Sequence, residues 1–483
     1  MTCPTGGLQA DSTSCTTTHC ASFGALTDLN EEETMSSTLR RRLIAPAAAL
    51  GALSLVLAGC AAETDPGAGG DVDCSAYEAY GTFEGESVEL YATIIDTEAD
   101  ALVESMADFE ACTGITVEYN GTQEAETQIN VRAAAGDAPD LMIIPQPGLL
   151  QRLIADGYVV PAPAAVEANV DEFWSESWKG YGTVDGTFYA APLLASVKGY
   201  IWYSPADFEE NGYEIPTTYQ GLLDLTEQMT ERNDGPYRPW CVGFGSGDAT
   251  GWVGTDWVED LVLRNSGPEA YDAWVAGELK FDSPEITEAF DLVGEVLLND
   301  QFVNGGFGGV QSIVTTTFQD GGLSILDGTC SLHHQASFYE AQWGEGVTVA
   351  PDGDVWAFLT PPIAEGDPSA VTGGGEFVAA FNDNEATAAL QAYLSSDTFA
   401  NERVSRGGVI SANKGLDPSL AGSELGRQSI EILQGEDTIF RFDASDLMPA
   451  AVGTSSFWTG MVDWVNGTPT AEVLRSIDAT FPQ

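Results

Sequence analysis

Between residues 88 and 157, short apolar runs alternate with stretches of helical periodicity, and this alternation restricts the fold more than any other feature of the chain. VELYATIID (88–96), ITVEY (115–119) and DLMIIP (140–145) are rich in β-branched and other apolar residues, as strands are. The segments between them read as helices. In EADALVESMADFEACTG (98–114), Leu102, Met106 and Phe109 recur at helical spacing and Gly114 marks a stop. TQEAETQINVRAAAG (122–136) and GLLQRLIADG (148–157) end on glycines in the same way. Strands alternating with helices call for a parallel, doubly wound α/β sheet, in which ligands bind beyond the carboxyl ends of the strands. Asp96, Thr97 and Glu98 fall at that mouth after the first strand, and Gln146 and Pro147 after the third.

The chain is long enough for two or three domains, and 43% hydrophobic and 10% aromatic residues among 483 supply a large core. Its 74 acidic against 17 basic residues give a net charge of −57. That balance excludes nucleic-acid binding, which needs a Lys/Arg footprint, and an anionic membrane surface repels it. An acidic surface aids solubility and identifies no ligand.

Arg40, Arg41 and Arg42 precede an apolar run from Leu43 to Leu57, broken by Pro46 and Ser54 and followed by Ala58-Gly59-Cys60. A basic cluster, a short apolar stretch and small residues, in that order, make a secretory signal too short to span a membrane comfortably. Leu57-Ala58-Gly59-Cys60 resembles the lipobox of bacterial lipoproteins. The resemblance implies cleavage before Cys60, acylation of its sulfur, and an extracytoplasmic protein anchored to the cell membrane by lipid. Residues 35–59 are then the signal peptide, with Met35 as the working start and 1–34 an over-extended reading frame. Residues 60–83 hold the lipidated cysteine and a flexible tether rich in Ala, Gly and Asp. Cys3, Cys15 and Cys20 lie in the polar N-terminal stretch, which leaves Cys74, Cys112, Cys241 and Cys330. An even set in an exported chain reads as two disulfides. Three pairings are open, and Cys74–Cys112 with Cys241–Cys330 is the expected one. No CxxC spacing supports a zinc site, and no metal or cofactor is expected.

Beyond residue 200 the pattern is richer in helix and aromatics. FEACTGITVEYNGT, GDAPDLMIIPQPGLLQRLIADG, APLLASVKGYIWY, PWCVGFGSGDATGWVGTDWVEDLVLRNSGPEAYDAW, CSLHHQASF and RFDASDLMPAAVG…FWTGMVDWVNG occur in that order. Together they resemble the extracellular solute-binding proteins of carbohydrate ABC importers, family 1, and within them the α-glucoside-binding branch, over residues 85–483. The resemblance implies a two-lobed, type II periplasmic-binding-protein-like α/β fold. Two doubly wound sheets are joined by a three-stranded hinge, and sugar binds in the cleft between the lobes. Crossings are expected near 193–203, 358–367 and 406–415, giving lobe one as 84–194 plus 362–410 and lobe two as 195–361 plus 411–483. The implied function is capture of a carbohydrate, an α-glucoside oligosaccharide, by a monomer that delivers it to the permease subunits of the importer.

A sugar stacks its ring faces on aromatics and offers hydroxyls at its edges, so its cleft needs aromatic platforms and a few placed polar groups. Trp252 in SGDATGW and Trp458 in SSFWTG are the expected platforms, the latter matching a sugar-stacking Trp of maltodextrin-binding relatives. Trp257, one turn beyond Trp252, reads as pocket lining or as core. Asp256, four residues beyond Trp252, reads as a hydroxyl acceptor or as a helix cap. Lys198 matches a hinge position that holds an acidic sugar ligand in those relatives, so its charge is reversed here. Asp96 and Glu98 read as contacts or as caps of the following helix, and Gln146 as a contact. His334 reads as a contact or a structural histidine, and Gly374, in Gly373-Gly374-Gly375-Glu376, as a close approach or a plain turn. Two other classes compete. A secreted glycoside hydrolase would use two carboxylates across a cleft, but no GxSxG, HExxH or P-loop motif is present. A peptide or polyamine binder on the same fold would exploit the acidity.

Overall fold

The computed structural model describes residues 72–482, apart from 233–234, 306–308, 345 and 436–437. The signal segment and Cys60 lie outside the described residues.

The first strand is Ser87–Ala92, followed by helices Asp96–Glu104 and Ala107–Thr113, strand Thr116–Gly121, helix Ala125–Ala135, strand Leu141–Ile144 and helix Pro147–Ala155. The alternation is the one the sequence carries, with one difference. The helix expected over 98–113 is two helices, interrupted at Ser105-Met106. The Ser105 hydroxyl donates to Leu102 O at 2.6 Å, a local bond that competes with helix continuation.

The three strands form one edge of a six-stranded sheet. Ser87–Ala92 pairs in parallel with Thr116–Gly121 and with Leu141–Ile144. The sheet is mixed rather than all parallel. Strand Ala370–Ala380 returns antiparallel to Leu141–Ile144 and to Ala190–Val197. It also pairs in parallel with Ile439–Phe442, so this strand belongs to the first sheet, although its position in sequence suggested the second lobe. The second sheet is five-stranded and also mixed. Its order is Trp356–Leu359, Tyr200–Tyr203, Leu332–Gln335, Trp240–Cys241 and Val303–Asn304.

Each sheet has its own core. Leu90, Ile143, Leu150, Phe377 and Tyr393 belong to the first, and Trp202, Trp240, Trp257, Phe290 and Trp464 to the second. Disulfides Cys74–Cys112 and Cys241–Cys330 are formed, with Cα atoms 5.4 and 5.6 Å apart.

The chain passes from the first sheet to the second between Val197 and Tyr200, through Lys198 and Gly199. Two other segments run beside that passage. Lys198 N donates to Thr372 O and Ala195 N to Ile410 O, each at 2.9 Å, and Thr360 N donates to Gly199 O at 2.7 Å. Gly199 takes φ 79°, and a Cβ there would lie 2.8 Å from the carboxylate of Asp260. The passage therefore requires glycine.

Candidate functional site

A cavity of about 520 Å³ opens beside the passages and is lined from both cores. That volume suits a small molecule. Leu194, Ala195, Ser196 and Gly374 to Glu376 come from strands of the first sheet. Ser337, Phe338 and Glu340 follow strand Leu332–Gln335 of the second. Lys198 lies at the junction, and Glu98, Pro145, Ile410, Ser423 and Asp446 complete much of the wall.

Lys198 is buried, and its ammonium donates to Asp256 Oδ1 at 2.8 Å and, at closer range, to Asp443 Oδ2. Burial acts to lower the lysine pKa, but Asp256, Asp443 and Asp446 outweigh it and hold the group charged. Burial also pushes Asp256 up, against the pull of Lys198 and with the help of Asp443. Asp446 is raised by burial and then by Asp443. One oxygen each of Asp256 and Asp443 is buried without a partner. Three carboxylates, from Asp256, Glu259 and Asp443, approach within 4.8 Å of one another, a grouping that resembles a metal site. Most of their oxygens are engaged otherwise. Lys198 occupies two of them, and Glu259 accepts from Ala444 N at 2.8 Å and Ser445 N at 3.1 Å.

Asp256 owes its place to helix Trp252–Val275, whose first turns are almost wholly buried. The helix starts after Gly251, at φ 118°, where a Cβ would lie 2.2 Å from Trp458 O. Gly251 thus lets the helix start press against the Trp458 backbone and delivers Trp252 to the Lys198 ammonium, 5.7 Å from its ring centroid. Trp252 is half-buried and packs edge-on against Phe318 at 5.2 Å and obliquely on Phe338 at 6.0 Å. An aromatic patch thus adjoins the ion cluster, with Phe338 on the cavity wall.

The expected site residues divide into three groups. Glu98, Lys198 and Gly374 line the cavity, and Gly374 faces the lysine, a Cβ there lying 3.4 Å from Lys198 Cε, in ordinary contact. Trp252 and Asp256 border it through Lys198. Gln146 is buried beside Glu126, while Trp458 is buried with its indole nitrogen unpaired. The third group is elsewhere. Trp257 is a core residue, packed on Trp240 at 4.9 Å and stacked on His334 at 4.6 Å and 5°. His334 is buried with it, its Nε2 3.7 Å from Asp260, and burial lowers its pKa, so it is a neutral structural histidine. Asp96 is exposed, at φ 55°, and does not line the cavity.

Phe338, Glu340, Asp443 and Asp446 escaped sequence reasoning. Phe338 and the two aspartates stand in segments that carry the family resemblance, CSLHHQASF and RFDASDLM, and this was the signal available. Glu340 carried none.

Residues 96–395 match the family of bacterial extracellular solute-binding proteins. Over 432 residues the chain is 36% identical to the osmoprotective compounds-binding protein GgtB of Synechocystis sp., covering 89% of this chain and 97% of that one. It is 37% identical over 398 residues to the alpha-glucosides-binding periplasmic protein AglE of Rhizobium meliloti, covering 80% and 84%. Among solved structures, the solute receptor AcbH, described with an exclusive preference for β-D-galactopyranose, matches with TM-score 0.67 at 16% identity over 82% of this chain and 98% of that one. The apo form of RafE from Streptococcus pneumoniae matches with TM-score 0.63 at 16% identity over 83% and 98%. At such identities the two structures bear on the fold alone.

Proposed function

Because the chain belongs to the bacterial extracellular solute-binding proteins, we propose that it captures a small α-glucoside between its two sheets and delivers it to the permease of an ABC importer. A binding protein of this kind is not an enzyme, so the glycoside-hydrolase alternative falls. The observation that carries the reading is the pairing of an aromatic patch, Trp252 with Phe338, with a buried Lys198–aspartate cluster at the junction of the lobes. The patch suits the C–H face of a pyranose, and the polar groups suit its hydroxyls. The names of the two relatives support a glycoside or a comparable osmoprotective solute. Lobe one is 84–194 plus 362–410, joined by strand Ile439–Phe442, and lobe two is 195–361 with the rest of 411–483. A sugar that touches both lobes stabilises the closed arrangement, the form the permease receives. Cys60 carries the lipid that keeps the protein at the membrane.

A thermal-shift screen of the mature chain against maltose, trehalose, sucrose, other glucosides and polyols tests this. An α-glucoside should raise the melting temperature, and titration should give a defined affinity. Trp252→Ala should weaken that affinity by roughly 2 kcal/mol or more, as truncation of a central aromatic contact does. If no glycoside shifts the melt, the substrate class is wrong. If Trp252→Ala binds as tightly as the wild type, the aromatic patch is not the platform.

A further inference from the structure

Strand Ala370–Ala380 slips register against Ala190–Val197 between Gly375 and Phe377, where Glu376 alone faces two residues. The extra residue lies on Ala190–Val197, and the ordinary alternation of a strand sets Glu376 and Phe377 on opposite faces. Phe377 is fully buried, whereas Glu376 lines the cavity. Glu98 lines the same cavity from the mouth of the first strand. Among the described residues neither carboxylate forms an ion pair or a hydrogen bond to another side chain. The groups facing them are Arg403, from helix Asp397–Ser405, and Tyr119, from strand Thr116–Gly121. Tyr119 donates its hydroxyl to Ile94 O at 2.7 Å. Arg403 is buried, donates to Gly407 O at 2.9 Å and keeps its Nε unpaired. Arg406 lies beyond it. Glu98 is exposed at the cavity mouth and Glu376 half-buried; partial removal from water raises Glu98, and the same effect together with Glu98 pushes Glu376 up to about 7, in spite of Arg403. Four acidic side chains line the cavity, Glu98, Glu340, Glu376 and Asp446, against one cation, Lys198, already held by two aspartates.

We propose that Glu376 and Glu98 form an acceptor pair that takes the hydroxyl donors of a neutral glycoside and turns anionic solutes away. The inference rests on the sugar-binding reading above. Arg403 supplies the pair with positive charge, so the pair lacks donors rather than a counter-ion. Hydroxyls supply donors without adding charge, and their bonds favour the ionised carboxylate. Binding at pH 7 therefore expels a proton, and affinity falls about tenfold from pH 8 to pH 6.

Isothermal titration of the mature protein with the neutral glucoside that gives the largest thermal shift, in buffers of different ionisation enthalpy, measures the proton directly. The wild type should release protons at pH 7. Glu376→Gln should bind at least tenfold more weakly, with an enthalpy independent of buffer. Glu98→Gln, on the open side of the cavity, serves as the variant least exposed to folding defects. It removes the repulsion that raises Glu376 and should move the pH midpoint of binding to lower pH. A glucuronate-bearing analogue should bind at least tenfold more weakly than its neutral counterpart. Neutral-glucoside binding without proton exchange, unchanged in both variants, overturns the acceptor pair while leaving the sugar-binding reading intact. An amine-bearing glucoside that binds tenfold more tightly than the neutral one also overturns it. If no glycoside binds at all, both readings fall.

Discussion

His333 and Glu376 titrate in opposite senses across the same pH range. His333 is buried, its Nδ1 2.9 Å from Cys241 O, and burial lowers its pKa from the ordinary 6.5 to about 4. Between those values the unfolded chain takes up a proton that the folded chain refuses, so stability is lost as pH falls from 6.5 towards 4. Glu376 is raised from 4.5 to about 7, so the folded chain holds a proton that the unfolded chain releases. Its contribution is present at low pH and lost as pH rises towards 7. The two offset each other in the wild type. Glu376→Gln should expose the histidine, and its unfolding free energy should fall on going from pH 7 to pH 5 by on the order of 2 kcal/mol more than that of the wild type. Urea unfolding of both proteins at the two pH values measures this, and parallel profiles would remove Glu376 from the account. The same residues show how much of the site was legible in sequence. Lys198 stood out through its match to a hinge position of the maltodextrin-binding relatives, and Trp252 because it follows a run of small residues that lets backbone approach a ligand. Glu340 did not, because among 74 acidic residues one more carries no signal until the chain folds around it, and Asp443 and Asp446 had only the resemblance of the segment they stand in. Trp257 and His334 follow the core and structural readings that were open for them, stacked on each other away from the cavity.

The second sheet contains a central strand of only two residues, Trp240–Cys241, pairing in parallel with Leu332–Gln335 on one side and Val303–Asn304 on the other. So short a strand has few ladder bonds of its own, and the Cys241–Cys330 bridge fastens it to the segment leading into its neighbour. The bridge joins residues 89 apart in sequence, and in the chain-entropy view closing a loop of that length restrains the unfolded state strongly. Replacing both cysteines by alanine should lower the unfolding free energy by roughly 2–5 kcal/mol. The Cys74–Cys112 pair, 38 residues apart and near the chain surface, should cost less when removed. Calorimetric melts of the two double variants would decide the order, and an equal or reversed order would contradict the loop argument. Strands of this length also explain what the sequence hid. Ser87–Ala92 and Leu141–Ile144 were readable because apolar patterning is local. A two-residue strand has no period to read, and the return of Ile439–Phe442 to the first sheet is fixed by long-range pairing with Ala370–Gly373.

At the scale of the whole molecule the acidic surface and the leader act in opposition. The acidity that gives the full chain a net charge of −57 drives it away from an anionic membrane, yet a binding protein is useful only where its permease is. The covalent lipid proposed at Cys60 would reconcile the two, since each buried methylene contributes about 0.8 kcal/mol and two or more chains anchor stably where one does not. The Ala-, Gly- and Asp-rich stretch after it would then serve as the proposed tether. The consequence is specific to one sulfur. Cys60→Ala should release the protein from the cell-membrane fraction into the medium or leave it as unprocessed precursor, and should cut uptake of the transported glucoside. The affinity of the purified folded part should be unchanged, because no residue of the cavity is involved. Fractionation of cells producing each form, followed by mass spectrometry of the N-terminal peptide, reads all of this. A wild-type protein found wholly in the medium with an unmodified N-terminal cysteine would show that capture proceeds without an anchor, leaving the local concentration of loaded protein at the permease to be set by secretion alone.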